Sequence, residues 1–482
     1  MLTLLIKKIF SANRARVCMH RIKITSAKMK ESIGQLPEEI QAFILSKLNG
    51  RSAAVCKKVC KLWHELIEGL ESCMHFWLRC CLKEIPMYTL VEYTRLMQLS
   101  GGREATLTEL ALDWMSSLGS KLPWMFWREV YAEFYRTTYI MTREEKKTEL
   151  HFYPLHGEVS CLHVQDNVVY SGHDSGLVMS WENVEADLHC ETLYRHHRRV
   201  TYLTGLDMVT TTNDILNGET SNIIVSSSKD ANLMLYNLET ETSSTINHYT
   251  KQINCVSTWG RHLVAAADRC FIQGQPLWKV DKSDLSVGVT CTLFSQSASD
   301  ITAVAFWEET VLSGDEMGNL FQWSGCLQCR QEGNQDMTPV ANLQARVKAI
   351  FIQGSKIICF TSDNCLHISQ YKSDSKIEFD KLNIHTALMK TAEFITVRGP
   401  ILAIGCKSGF VYLYHIPKPS DWDNLLLEKP AHILQFSKDH IHSIAIGDDG
   451  SCPYIVVATE DYCINIVQFK RRRKNSENAK VD

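Results

Sequence analysis

Leu36-Pro-Glu-Glu-Ile-Gln-Ala-Phe-Ile-Leu-Ser-Lys-Leu48 is the stretch from which the rest of the chain is read. Pro37 suits the first position of a helix, where its missing N–H costs nothing. Glu38 and Glu39 then lie at the positive end of the helix dipole. Ile40, Phe43, Ile44 and Leu48 recur at spacings of three and four, one apolar stripe on a helix. Asn49-Gly50 is expected to end it. A second helix is expected from about Ser52 to Glu68. Val55, Val59, Leu62 and Leu66 make one stripe on it, and Cys56, Cys60, Trp63 and Ile67 make another beside it. A helix apolar over so wide an arc is buried on more than one side. A unit of about fifty residues has too little core to bury both stripes by itself. One face is therefore expected to belong to a partner.

Leu36-Pro37, Ile40, Ile44 and Leu48, then Val59-Cys60-Lys61-Leu62-Trp63 and Phe76-Trp77, resemble an F-box through its three helices, over residues 33–82. The resemblance implies docking on the Skp adaptor of an SCF-type (Skp–cullin–F-box) ubiquitin ligase. It assigns that docking to Leu36, Pro37, Ile40, Ile44, Leu48, Val59, Cys60 and Trp63. Cullin and RING subunits would follow through the adaptor.

Composition bounds the rest. The chain has 482 residues, room for several domains, and its 45% apolar content is globular. A formal charge of −3 gives no global field that would point to nucleic acid. The 18 cysteines lack the regular spacing of a disulfide framework, and Cys161, Cys255 and Cys359 lie in apolar runs. That is how a reducing compartment uses cysteine, as a small hydrophobe. No apolar run is long enough for a transmembrane helix, so no membrane partner is expected.

Residues 1–32 carry Lys7, Lys8, Arg14, Arg16, Arg21, Lys23, Lys28 and Lys30, with no acid before Glu31. This composition fits a mitochondrial presequence, a flexible basic extension, or a leader upstream of a second start at Met29. The disordered extension is preferred, because an F-box implies cytoplasm or nucleus. After the F-box, residues 83–146 read as a helical linker and stiff spacer. A helix near Cys73–Ile85 precedes it, and Tyr88–Leu99, Thr108–Leu118 and a helix opened by Leu122-Pro123 follow. The last holds Trp124, Trp127, Tyr131, Phe134, Tyr135 and Tyr139, a density of rings at helical spacing that reads as core.

From about Lys147 to Lys470 the hydrophobic period changes from 3.6 to 2, and one pattern recurs. It is an alternating strand, a strand ending in small residues, a tight Asp/Gly turn, and a strand ending in an aromatic. The clearest copy is Ile301-Thr-Ala-Val-Ala-Phe306, Val311-Leu-Ser-Gly-Asp315, Asn319-Leu-Phe-Gln-Trp323. Others begin at Val159, Val200, Ile253, Val347, Glu393 and Ile441; the third has only a weak third strand near Phe271. These units resemble WD repeats, four strands to a blade of a seven-bladed β-propeller. They depart from the family in lacking a Trp-Asp dipeptide and, before most blades, a Gly-His signal. Small residues are expected where inner strands crowd, and each Asp can bond its own turn. The seventh unit has only three strands. Thr148–Tyr153 alternates polar and apolar and has no partner of its own. It is expected to complete that blade, since an unpaired edge is a liability. Residues 471–482 are a polar tail; the basic run Lys470–Lys474 is a solvated end or a nuclear address.

The expected fold class is thus multidomain: an all-α F-box and helical linker, then an all-β WD-repeat-like propeller. The resemblance to F-box/WD-repeat proteins implies the substrate-recognition subunit of an SCF ligase. The alternative is a non-degradative scaffold that binds Skp without a working ligase. Neither role needs a catalytic residue or cofactor, because a separate conjugating enzyme supplies ubiquitin and the receptor supplies proximity. Cys326-x-x-Cys329 is the one metal-like pair, and no second pair lies at workable spacing, so no metal is expected. The target protein is expected on the blade rim that carries the Asp turns. Arg195, Arg198, Arg199, Lys229, Arg269, Arg346 and Lys407 fall there. Converging guanidiniums would suit an acidic or phosphorylated peptide.

Overall fold

A computed structural model describes residues 36–73, 75–94, 122–140, 146–152, 157–165, 167–184, 187–207, 222–246, 249, 251–259, 262–267, 274–280, 285–294, 299–307, 310–323, 337–371, 377–436, 440–450 and 452–470. The expectations placed on residues 1–35, Leu99, Thr108–Leu118, Arg269, Phe271, the Cys326–Cys329 pair and the tail from 471 lie outside them. The chain divides into two compact units. One holds residues up to Glu84 with Trp114–Tyr131, and the other holds Ile85–Asp113 with Ala132 onward. The described helices ahead of the first strand are α1 (Glu38–Ser46), α2 (Gly50–Cys56), α3 (Lys61–Ser72), α4 (His75–Glu84), α5 (Met87–Thr94) and α6 (Trp124–Ile140).

In the first unit the local chemistry differs from expectation in three places. Pro37 precedes α1 instead of opening it, and its carbonyl accepts the N–H groups of Ile40 and Gln41 at 3.0 Å each. Asn49 does not stop α1 but caps α2, its Oδ1 accepting from Ser52 N at 2.7 Å. Gly50 is the first residue of α2. A Cβ there would lie 2.5 Å from the Tyr131 ring and 2.6 Å from the Trp77 ring. Close approach, not helix termination, is what asks for glycine. Thirdly, the single helix expected over Ser52–Glu68 is two. Cys60 is extended (φ −157°, ψ 165°) and stands at the N-cap position of α3 without a side-chain capping bond. Lys57, in the break, lies 2.8 Å from Glu71 and 3.6 Å from Glu68. The two apolar stripes therefore do not share one helix, and each helix turns its own face inward.

The second unit is a β-propeller. Its described strands form seven four-stranded antiparallel sheets. Six are meanders of consecutive strands. The seventh takes Ile441–Asp448, Pro453–Thr459 and Cys463–Lys470, then adds Lys146–Phe152 as its outer strand. Lys146 pairs with Lys470 and Phe152 with Ile464. The expected closure by the segment from Thr148 thus holds, with the strand starting two residues earlier at Lys146; Tyr153 lies outside the described residues. In the third sheet the third strand is Gly274–Val280, beyond the Phe271 region where it was expected.

Each pair of neighbouring sheets encloses its own apolar core. The first and second sheets bury Cys161, Val178, Val200 and Ile224; the seventh and first bury Val159, Trp181, Val456 and Ile464. A second strand sandwiched between sheets is buried on both faces, as Lys356–Thr361, Ile401–Cys406 and Pro453–Thr459 are throughout. Small residues there have a specific neighbour. A Cβ on Gly172, Gly314 or Gly405 would lie 2.6–2.7 Å from Val200, Val347 or Ile441, the leading residue of the next sheet. The residue after that leading position latches sheet to sheet. Ser160 Oγ donates to Val200 O at 2.6 Å, Thr201 Oγ1 to Ile253 O at 2.8 Å, and Asn254 Nδ2 to Ile301 O at 3.0 Å. Thr302 Oγ1 donates to Val347 O at 2.5 Å.

The described helices of the expected linker are divided between the two units. The α5 helix and the part of α6 from Ala132 belong to the propeller unit. There the Tyr88 ring lies against Gly354, Glu92 accepts the Gly399 N–H at 2.9 Å, and Arg136 meets Asp448. Apolar and ionic contacts with the hairpins of the sheets absorb these helices.

Candidate functional site

The α1 helix is amphipathic in an unusual sense. It buries Gln41 and Leu45, with Leu48 after it, and leaves Ile40 and Phe43 48% and 61% exposed. Leu36 is 39% exposed, and Pro37 is exposed as well. Leu36, Ile40 and Phe43 are spaced four and three apart, so they fall on one side of the helix and its entrance. In α2 and the break after it, Val55 and Val59 are 60% and 59% exposed. Twelve large apolar residues are exposed among the described residues, and five of them fall between Leu36 and Val59. Scattered exposed apolar residues are ordinary, but such a concentration in one short segment makes it the candidate docking surface. Lys47 caps it, its Nζ 4.9 Å above the Phe43 ring.

Not every residue assigned to docking lies on this surface. Ile44 is half-buried and Cys60 is exposed at the head of α3. Leu48 and Trp63 are each only 8% exposed and belong to the interior. The indole N–H of Trp63 donates to Gln41 Oε1 at 2.7 Å, and Gln41 Nε2 donates to the Leu36 carbonyl at 2.7 Å. The stripe containing Trp63 is the one α3 turns inward, beside Ile67. Gln41, unmarked by the sequence reading, is 1% exposed and ties the interior to the Leu36-Pro37 segment. The one available signal was a polar residue on the buried side of an amphipathic helix. Deeper in the unit, the Tyr131 hydroxyl donates to Glu84 at 2.8 Å and accepts from Arg51 N at 3.1 Å. Burial pushes the Glu84 carboxyl above its ordinary range, against the Tyr131 bond that favours its ionised form.

On the propeller, the turn between the second and third strands meets the loop that leads into the same sheet. Asp174 N donates to Glu158 O, Lys229 N to Arg199 O, Ser362 N to Arg346 O and Lys407 N to Thr391 O, at 2.9–3.0 Å. The expected rim residues that are described do share this edge. They do not converge as free cations, however. Arg199 lies 3.9 Å from Glu158, Arg346 3.7 Å from Glu316, and Lys407 3.5 Å from Glu393, which Lys348 also approaches at 3.3 Å. Arg195, Arg198 and Lys229 are exposed around the second sheet. The acids answering the other three lie at the same edge, so half of the expected rim cations that are described already face a carboxylate.

The turn residues themselves are held tightly. Burial would raise Asp363, but hydrogen bonds from Lys381 and Thr361 outweigh it and hold the carboxyl down to about 2. His196, between Arg195 and His197, points inward. Its Nε2 lies 2.7 Å from Ser226 Oγ and its Nδ1 3.3 Å from Asp230. Burial pushes its pKa down, with Asp230 opposing. In the first sheet Trp181 Nε1 donates to Ser171 Oγ at 2.7 Å, and Ser171 Oγ lies 2.9 Å from His173. Ser226 and Ser171 are fully buried, so these His–Ser groupings hold strands together and present no nucleophile to solvent. Among the described residues no group of three or more His, Cys, Asp or Glu is placed to hold a metal ion. No described helix is long and apolar enough to cross a membrane.

The sequence model of the F-box-like family matches residues 33–83. Those residues are an F-box-like domain. The match contains α1 to α3 and nearly all of α4, and with them every exposed apolar residue from Leu36 to Val59. No curated protein matches the chain. Among solved structures, the computationally designed Ika8 protein is similar over 64% of this chain and 96% of its own, at 13% identity and a TM-score of 0.42. A score that low has no bearing on the function of the F-box-like domain or of the propeller.

Proposed function

We propose that this chain is the substrate-recognition subunit of an SCF-type ubiquitin ligase. The F-box-like domain docks a Skp-type adaptor, and through it the cullin and RING subunits, while the propeller holds the protein to be ubiquitinated. The observation that carries the reading is the exposed apolar set of Leu36, Ile40, Phe43, Val55 and Val59 inside the F-box-like match. Burying an apolar side chain is worth about 1.5–3 kcal/mol, so five left in water point to a surface completed by a partner. Pro37, Ile44 and Cys60 border that set. Leu48 and Trp63 support it from beneath.

On this reading the seven sheets are seven WD-type blades, and the contacts of His196 with Ser226 and Asp230 tie the loop at Arg195–Arg199 to the second of them. The chain contributes proximity and no catalytic group, and it works in cytoplasm or nucleus. The target meets the rim bearing the Asp turns. Of the expected cations there, Arg195, Arg198 and Lys229 are the ones for an acidic segment, since Arg199, Arg346 and Lys407 already face carboxylates. The test is affinity purification of the full chain from cells with the proteasome blocked. Adaptor and cullin should co-purify with a target that accumulates when the chain is depleted. Adaptor without cullin would replace the receptor by a scaffold.

A further inference from the structure

The F-box-like domain contains a buried carboxamide with both ends in use. Gln41 is 1% exposed, accepts the indole N–H of Trp63 through Oε1 and donates through Nε2 to the carbonyl of Leu36, each at 2.7 Å. Leu36 lies ahead of α1, where no helical hydrogen bond holds it. The helix's own bonds reach back only to Pro37, whose carbonyl takes Ile40 and Gln41 N–H. The side chain of Gln41 thus supplies the tie that reaches one residue further. Its other end is anchored on a tryptophan set into the interior, 22 residues away in sequence. Leu36 is 39% exposed despite this anchoring, so its backbone is tied while its side chain is free to meet another body.

We propose that Gln41 is a positioning residue of the docking face, fixing the Leu36-Pro37 segment for the adaptor by coupling the Leu36 carbonyl to Trp63. The inference rests on the reading that this face docks a Skp-type adaptor. A methionine at 41 keeps length and flexibility and loses both hydrogen bonds. A glutamate keeps the acceptor for Trp63 but, when ionised, has no proton to give the Leu36 carbonyl.

The experiment measures adaptor affinity for the full chain and the variants Gln41→Met, Leu36→Ala and their combination, beside hydrogen exchange across residues 36–41 without adaptor. One net hydrogen bond is commonly worth a three- to tenfold change, so Gln41→Met is expected to weaken adaptor binding about three- to tenfold. Exchange across 36–41 should rise. On the Leu36→Ala background Gln41→Met should change affinity little, because the side chain being positioned is already gone. A purely structural Gln41 would instead lower affinity equally on both backgrounds, and that additivity overturns the proposal. So does unchanged exchange in Gln41→Met, whether or not adaptor binds. Gln41→Glu keeps the Trp63 bond; wild-type affinity in it would show that the Leu36 bond carries nothing, and overturns it too. A wild-type chain without adaptor affinity overturns the docking reading itself, and the exchange result is read independently of it.

Discussion

Leu150 lies opposite Ile466 in an antiparallel register that joins the first strand of the propeller unit to its last. The two residues are 316 positions apart in sequence, and the pair closes the seventh sheet on chain that precedes the first. Both pack in the core between the seventh and first sheets. Placing a carboxylate in that core leaves it without a partner. Leu150→Asp is expected to lower stability by about 2–3 kcal/mol, read as a lower denaturant midpoint. Deleting residues up to 152 uncovers the edge of Cys463–Lys470 and is expected to promote self-association, measured by light scattering.

Gly314 faces the leading residue of the next sheet, with Val347 atoms 2.6–2.7 Å from where a Cβ would stand. Neither backbone can move without disturbing the Thr302-to-Val347 latch beside it. Gly314→Val is expected to cost about 1–3 kcal/mol by overpacking, measured by chemical unfolding of the full chain. Gly288, beside which nothing lies within 4 Å, is the control and should tolerate alanine far better.

Arg136 grips Asp448 through Nε, 3.1 Å from each carboxylate oxygen, and through Nη2 at 2.9 Å from Oδ1. The Asp448 side chain is only 4% exposed. Removing the guanidinium leaves a buried carboxylate with the Gly450 N–H as a remaining donor. Arg136→Met is expected to destabilise the propeller unit by about 3 kcal/mol, and adding Asp448→Asn should recover part of it. By the same reasoning a propeller cut to 147–470 unfolds more easily than the chain that keeps α5 and α6. Thermal unfolding compares them.

Acid should weaken the ring through its buried imidazoles. Burial lowers the pKa of His196, His367 and His415, with Asp230 opposing at the first. Around His196 the groups in reach are Asp230, Ser226, Tyr194 and His197. A histidine held neutral when folded takes up a proton more readily when unfolded. Stability is therefore expected to fall as pH drops below about 6.5, toward the lowered folded values. The melting temperature of the full chain should drop between pH 7 and pH 5.5, and His196→Gln should reduce that drop while lowering the value at pH 7.

Which parts of the molecule the sequence shows follows from how far each cause reaches. Alternation in Thr148–Tyr153 and a seventh unit read with three strands were enough to place the closing strand. Small residues before the Asp turns marked the buried second strands, though only packing shows that Gly314 answers Val347. The break between α2 and α3 has no glycine or proline to announce it. The extended Cys60 and the tie from Lys57 to Glu71 make it, and so Trp63 turns inward while Val59 stays out. Pairing on the rim was hidden for a similar reason. Arg346 and Lys407 look free in sequence, and the acids they meet are brought by other elements, Glu316 by a turn and Glu393 by the strand Ala392–Arg398. Docking of Met87–Thr94 on the propeller hairpins depends on partners about 300 residues away, beyond any local pattern.

Binding of a Skp-type adaptor by the exposed apolar face of the F-box-like domain can be measured alone. Its most direct test is the dissociation constant between purified adaptor and the full chain, wild type and Phe43→Asp/Val59→Asp. Both side chains are about 60% exposed, so the double variant should keep the wild-type melting temperature to within a few degrees. The wild type is expected to bind tightly, one to one, and the variant to lose at least about a hundredfold. Equal affinity in the two, or no binding by the folded wild-type chain, would contradict it.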